Sequence, residues 1–405
     1  MRFGLLGEKL AHSYSPAIHA ELGGYEYRLY EKAPGELEHF LARGEFDGLN
    51  VTVPYKHTVM GYCGSLSEAA RAIGSVNTLT RGAGGALHGD NTDYFGFAYL
   101  LGTAGVDVQA GKVLVLGSGG SSLAVQAVLR DMGARFVVVS RGGADNYDNI
   151  SRHSDAALII NATPVGMYPG NGVSPVDIGI FGECRAVVDL IYNPARTELL
   201  MQAEARGALA VNGLAMLVAQ AKKAAERFTG EPIADEKIGA IAEKIARLTR
   251  NIILVGMPGC GKSSIGAALA RRTGREFADT DDYVAEAAGK PVPDILAECG
   301  EEAFRRLETG ALQELCKRSG LVIATGGGVV TRGENYNIIR QNGVIIYLER
   351  DIGLLDTSGR PLSANIAALA AERLPLYSQW GDYSVAVRGV GQTADYIARA
   401  ILEAR

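Results

Sequence analysis

Apolar residues fall in short unbroken runs along most of this chain, and the stretches between the runs carry helical periodicity. "RFGLLG" near the start reads as a strand. "SPAIHAEL" opens a helix with Pro16 in its first turn, where a missing N–H costs nothing. "FDGLNVTVP" is strand-like, "SEAARAIGSVNTLT" is a helix leading into a strand, and "TDYFGFAYLLGTAG" is an amphipathic helix. Then come "KVLVLG", "RFVVVS", "AALIINAT" and "AVVDLIY", all of strand length, with the helix "SSLAVQAVLRDMG" between the first two. Continuous apolar strands joined by helices predict a parallel sheet covered on both faces. From Asn212 to about Leu248 the pattern turns helical, in "GLAMLVAQAKKAAERFTG" and "IADEKIGAIAEKIARL". The strand "NIILVG" restarts an α/β pattern, continued by "LVIATGG" and "GVIIYLE" and closed by the helical "ADYIARAILEA".

Length turns this pattern into more than one unit, because 405 residues exceed one ordinary core. The change of pattern puts a boundary near Arg247–Asn251, with no Pro/Gly/Ser linker there. No apolar run is long enough to span a bilayer, and the N-terminus lacks the small-residue cleavage site of a signal peptide. The five cysteines show no CxxC spacing, which predicts free thiols in a reducing cytoplasm. Net charge is −5, with 22 basic and 26 acidic residues up to Thr249 and 18 and 19 beyond it. Neither part is basic, so no nucleic-acid surface is expected. All six histidines precede Thr249, so chemistry in the second part cannot rest on a histidine base.

Two glycine-rich turns each follow an apolar strand and open a helix. The second, Gly256–Met257–Pro258–Gly259–Cys260–Gly261–Lys262–Ser263, satisfies G-x-x-x-x-G-K-[ST]. In such a loop the backbone N–H groups wrap phosphates, Lys262 adds a point charge at the β/γ-phosphates, and the Ser263 hydroxyl meets Mg²⁺. "FADTDDYVAEAAG" then places Asp279 and Asp281 two apart at a strand end, "GEEAFRRLE" offers Arg305, and "IATGGGVV" gives a glycine triplet. "GRPL" and "RLPLY" supply Arg360 and Arg373.

On these motifs residues 250–405 resemble shikimate kinase, a P-loop α/β fold of the nucleoside-monophosphate-kinase kind. The resemblance implies that Gly259, Cys260, Gly261, Lys262, Ser263 and Ser264 hold ATP. It makes Lys262 catalytic and gives Mg²⁺ to Ser263 and Asp279. It also makes Asp281 the base or orienter of the substrate hydroxyl. Arg305, Gly326, Gly327, Gly328 and Arg373 would bind the rest of shikimate, and Arg360 would close a lid over the phosphates. Phosphoryl transfer asks mainly for positioning and charge neutralisation, which this set offers.

The first part carries its own ordered motifs. "AHSYSPAIHAEL" sets Ser13 and Ser15 before a helix N-terminus, a place for a carboxylate. "GLNVTVPYK" ends with Thr52 and Lys56, "GSVNTL" brings Asn77, and "GDNTDYFGF" brings Asn91 and Asp93. "INATPVGM" and "GLAMLVAQA" follow downstream. Residues 1–249 resemble shikimate dehydrogenase, which implies a two-lobed substrate domain (about 1–95 and 213–249) and a Rossmann-like NADP lobe (about 96–212). Lys56 and Asp93 would be its catalytic pair. Ser13 and Ser15 would hold the carboxylate, and Thr52, Asn77, Gln220 and Tyr192 would meet the rest of the ring.

The first glycine turn, Gly117–Ser118–Gly119–Gly120–Ser121–Ser122, has a serine at its third glycine position. The resemblance places the dinucleotide on Gly117, Gly119, Gly120, Ser121, Arg141, Asn161 and Thr163. No acidic residue immediately follows the next strand; Ser140 and Arg141 do, and a basic residue there favours the 2′-phosphate of NADP. "RGGADNYDNISRHSD" is too short and polar for the usual helix. The implied function is bifunctional: NADPH-dependent reduction of 3-dehydroshikimate to shikimate, then MgATP-dependent phosphorylation of shikimate. The alternatives are one active half beside a sensing or scaffolding module, and quinate as substrate of the first half.

Overall fold

The protein is described by a computed structural model over residues 1–10, 13–355 and 366–402. It divides into two compact units: Met1–Tyr192 with Thr197–Ala246, and Asn193–Arg196 with Arg247–Arg405.

The first unit holds two sheets. Its N-terminal sheet uses β1 (Arg2–Gly7), β2 (Glu26–Glu31), β3 (Gly48–Val51), β4 (Cys63–Leu66), β5 (Thr78–Arg81) and β6 (Leu87–Asp90), in the order β2-β1-β3-β5-β6-β4. β1 pairs in parallel with β2 and β3, whereas β5 runs antiparallel to β3 and sets Asn50 opposite Thr78. One core under the sheet gathers Leu6, Phe46, Leu49, Val51 and Leu79. Another joins the helices Ser15–Leu22, Leu214–Thr229 and Glu236–Thr249 through Ile18, Leu22, Val218 and Ile241. The late helices thus complete the first lobe.

The second sheet is wholly parallel: β7 (Lys112–Leu116), β8 (Phe136–Val139), β9 (Ala156–Asn161), β10 (Ala186–Asp189) and β11 (Leu209–Asn212), in the order β11-β10-β9-β7-β8. Both faces are covered, as the apolar runs require. Phe97, Leu100, Val125 and Val128 pack on one, and Ile150, Leu199 and Leu200 on the other. Strand order reverses between β7 and β9, so the crevice at their carboxyl ends is the place for a ligand.

The second unit repeats that logic with β12 (Asn251–Val255), β13 (Phe277–Asp279), β14 (Val322–Ala324), β15 (Gly343–Glu349) and β16 (Tyr383–Ala386), all parallel, in the order β13-β14-β12-β15-β16. Its switch point lies between β12 and β14. One residue, Arg250, separates the helix Glu236–Thr249 from β12.

Five strands escape the sequence pattern: β2, β4, β6, β11 and β16. Four of them are sheet edges, and an edge strand buries too little for an apolar run to be required. β2 shows this, being exposed or half-buried throughout. The final helix, Val390–Tyr396, continues as a wider π turn over Ile397–Leu402.

Candidate active sites

In the first unit Lys56 follows β3 and Asp93 opens the helix Asp93–Ala104. Their side chains meet with Lys56 Nζ 2.5 Å from Asp93 Oδ2, and both are largely buried, 13% and 7% exposed. Asn77 Nδ2 donates to the other carboxylate oxygen at 2.8 Å. The Asn77 amide is itself oriented, because its Oδ1 accepts from Thr92 N at 2.7 Å and from the Thr78 hydroxyl at 3.0 Å. Asn91 Oδ1 accepts from Asp93 N at 3.1 Å.

Gln220 enters from the helix Leu214–Thr229. A Cβ added at Gly96 would lie 2.7 Å from the Met216 carbonyl oxygen, so a glycine is needed where the two helices cross. The crossing brings Gln220 Oε1 to Asn77 Nδ2 at 3.5 Å and to the Thr92 hydroxyl at 3.4 Å. Ser15 is buried at the helix N-terminus, and its N–H donates to the Ser13 hydroxyl at 3.2 Å. Thr52 is half-buried after β3. Tyr192 lies against Tyr14, with ring centroids 5.1 Å apart, and burial pushes its hydroxyl up to about 12.

The dinucleotide turn stands beside this pair: a Cβ on Gly120 would lie 3.5 Å from Lys56 Cδ. Gly117 has φ 101°, and a Cβ there would press Thr163 Cγ2 at 2.9 Å. Gly119 caps the helix Gly120–Asp131 without a side chain, which leaves the first-turn amides to a phosphate. A dinucleotide fits these residues. The serine at the third glycine position is accommodated because the Ser122 hydroxyl, fully buried, donates to the Gly117 carbonyl at 2.7 Å. Asn161 is fully buried as well. Its amide donates to Asp189 at 3.0 Å and its oxygen accepts from Thr163 N at 3.0 Å, so both residues shape the loop after β9. Arg141 is exposed and forms no ion pair among the described residues.

In the second unit Gly256, Gly259 and Gly261 all take positive φ, of 149°, 76° and 102°, and the helix Lys262–Thr273 starts directly after them. Lys262 Nζ donates to the Gly256 and Met257 carbonyls at 2.8 and 3.0 Å. Ser263 and Ser264 are exposed. Ser263 Oγ donates to Asp279 Oδ2 at 2.6 Å, a pairing that suits one hydrated Mg²⁺ carried by a nucleotide. The Cys260 thiol turns fully into the core, and its N–H bonds to the Met257 carbonyl within the loop.

The glycine triplet holds the remaining groups together. A Cβ on Gly326 would lie 2.1 Å from Glu308 Oε1 and 2.9 Å from Asp281 Oδ1. One on Gly327 would strike Pro258 of the phosphate loop at 2.6 Å, and one on Gly328 would lie 2.0 Å from Arg305 Cζ. Only glycine allows so close an approach. Arg373 Nη1 donates to the Gly327 carbonyl at 3.3 Å, and the Tyr377 hydroxyl donates to the same oxygen. Arg360 lies outside the described residues.

Glu308 was not singled out from sequence. It is fully buried, and its Oε2 accepts from Arg305 Nη1 at 2.9 Å. Burial pushes the Glu308 carboxyl above its usual range, Asp281 adds to the rise, and Arg305 opposes it. Burial likewise works against the Arg305 charge, but Glu308 and Glu301 outweigh it and raise its pKa. The three-residue step from Arg305 to Glu308 on one helix is a legible sign of this pair. Tyr377, four residues after Arg373 on the helix Ile366–Trp380, carries the same kind of sign.

A nicotinamide-dependent dehydrogenase followed by a P-loop kinase of a small carboxylate is the class these two sites define. The family model for the shikimate dehydrogenase substrate binding domain matches residues 5–79, and that for shikimate kinase matches residues 258–404. A shikimate dehydrogenase (NADP(+)) from Clostridium beijerinckii is 37% identical over 245 residues, covering 55% of this chain and 90% of that protein. Shikimate dehydrogenase 1 from Peptoclostridium difficile superposes with a TM-score of 0.57 at 36% identity, covering 60% of this chain and 97% of that one. The shikimate 5-dehydrogenase from Thermus thermophilus, solved with NADP(H) and shikimate, gives 0.55 at 32% identity, over 60% and 99%. The chain belongs to the shikimate dehydrogenase family and carries a shikimate kinase domain at its C-terminal end.

Proposed function

We propose that one chain performs two consecutive reactions on one ring, the NADPH-dependent reduction of 3-dehydroshikimate and the MgATP-dependent phosphorylation of the resulting shikimate. The observation that carries the first half is the buried Lys56–Asp93 pair beside the dinucleotide turn. NADPH supplies the hydride. Lys56 gives its proton to the developing alkoxide oxygen, while Asp93, held by Asn77, orients the ammonium. In the second half ATP supplies the phosphoryl group. Lys262 neutralises phosphate charge, Asp281 orients the attacking hydroxyl, and Arg305 with Arg373 holds the substrate carboxylate. Neither half has lost its charged groups, so neither is read as a scaffold.

The domain limits we propose are 1–249 and 250–405, and the cysteine spacing leads us to place the enzyme in the cytoplasm. The partners proposed are small molecules, with neither nucleic acid nor membrane. Supplying 3-dehydroshikimate, NADPH and MgATP together should yield shikimate 3-phosphate by mass spectrometry. Accumulation of unphosphorylated shikimate, or no consumption of NADPH, would remove one half of the proposal.

Gly328→Ala should raise the KM for shikimate about 10- to 100-fold in the kinase assay. The added methyl displaces the Arg305 guanidinium, whose hydrogen bonds to a carboxylate are worth about 1.5–3 kcal/mol. The KM for ATP should hold, and an equal rise in both would mean that the phosphate loop had moved instead. For the cofactor, Arg141→Ala should reduce the preference for NADP over NAD by about 1.5–3 kcal/mol, the scale of one charge-assisted hydrogen bond. Equal kcat/KM ratios in wild type and variant would leave Arg141 without a role.

A further inference from the structure

Sequence distance sets Asp145 apart from the end of β8, but the backbone brings it back. Ser140 N–H donates to the Asp145 carbonyl at 3.1 Å, and Gly143 N–H donates to the Ser140 carbonyl at 3.1 Å. The turn between them is tight enough that a Cβ on Gly143 would lie 2.8 Å from Ser140 Oγ. In a dinucleotide fold this strand end faces the adenosine ribose, where an acidic side chain accepts from the 2′-hydroxyl of NAD and repels the 2′-phosphate of NADP. Asp145 therefore has the chemistry of an NAD enzyme, beside an Arg141 with that of an NADP enzyme.

The conflict is resolved by the shortened segment that follows. Residues Tyr147–His153 form a 3-10 turn in place of the usual helix. Asn146 caps it by accepting from Asp148 N and Asn149 N, and Asn149 Oδ1 accepts from Asn146 N in return. The turn ends at His153, largely buried, whose Nε2–H donates to Asp145 Oδ1 at 2.9 Å. The carboxylate is held on the side of the turn, and Arg141 is left exposed and unpaired among the described residues.

We propose that His153 is a cofactor-specificity residue: by holding Asp145 it keeps that carboxylate off the ribose and leaves the strand end to Arg141 and the 2′-phosphate. This rests on the reading of β8's end as the ribose site of an NADP enzyme. The test is equilibrium titration of the full-length protein with NADP⁺ and with NAD⁺, read by calorimetry, so that binding is measured without turnover. His153→Leu should lower the ratio of NAD⁺ to NADP⁺ dissociation constants at least tenfold. His153→Gln, which keeps an Nε2 donor, should hold the ratio within about threefold of wild type. Adding Asp145→Asn to His153→Leu should restore it. Asp145→Asn alone, which keeps His153 and its packing, should bind NADP⁺ at least as tightly as wild type.

An unchanged ratio in His153→Leu overturns the proposal. So does a double variant as poor as His153→Leu, because the fault would then be a collapsed turn and not a released carboxylate. A tenfold weaker NADP⁺ complex in Asp145→Asn overturns it too. Arg141→Ala in the same titration tests the underlying reading by itself. If its preference persists while the His153 and Asp145 variants behave as described, the role given to Arg141 is overturned, and what stands is that His153 holds Asp145 off the ribose.

Discussion

Lys262→Ala abolishes phosphorylation of shikimate and leaves reduction of dehydroshikimate within a few-fold of wild type. That is the result expected from the second unit. The ammonium is buried in the phosphate loop and is held by the Gly256 and Met257 carbonyls, which fix it as a point charge at the mouth of the helix Lys262–Thr273. Phosphoryl transfer gains most of its rate from charges already in place when negative charge moves toward the leaving group. Losing one such charge on the transferring phosphoryl group should lower kcat by about a thousandfold or more. Arginine should not rescue it, because a planar fork cannot replace a compact ammonium between two carbonyls. The reductase is untouched because its charged pair, Lys56 and Asp93, belongs to the other unit. Both rates are read on one preparation, by NADPH absorbance and by ADP release. A folded variant that loses both would show that the halves do not work independently.

How much of this could be read from the chain depends on what kind of contact carries it. The phosphate loop and the parallel strands were legible because they are local: a glycine at Gly261 and a lysine at Lys262 are adjacent in sequence and in space. The buried apolar runs of β7, β9 and β12 announce themselves for the same reason. Edge strands such as β2 did not, since little in their residues demands burial. The site partners that were missed are those fixed by pairing across strands or across helical turns. Thr78 meets Asn50 across the β3–β5 pairing, and Glu308 and Asp281 share the space left by the missing side chain of Gly326. Asp145 is the clearest case. Four residues separate it from Ser140 in sequence, and one backbone hydrogen bond from Ser140 undoes that separation.

Lys56→Ala lowers the reductase rate by about a hundredfold or more, the usual loss for a positioned acid–base group, with NADP⁺ binding retained. The finer expectation concerns its partner. Asp93 is 7% exposed and Lys56 Nζ lies 2.5 Å away, so truncating the lysine leaves a buried carboxylate with Asn77 as its side-chain donor. Removing one member of a buried pair costs more than removing both, because the remaining charge is uncompensated. Asp93→Asn added to Lys56→Ala should therefore recover thermal stability lost by Lys56→Ala without recovering rate. In a double-mutant cycle the two rate losses should fall well short of multiplying, since either change alone already disables the same proton transfer. Full multiplication of the losses, in proteins that melt alike, would mean that lysine and aspartate act in separate steps. In that event Asp93 would meet the substrate hydroxyl without orienting Lys56.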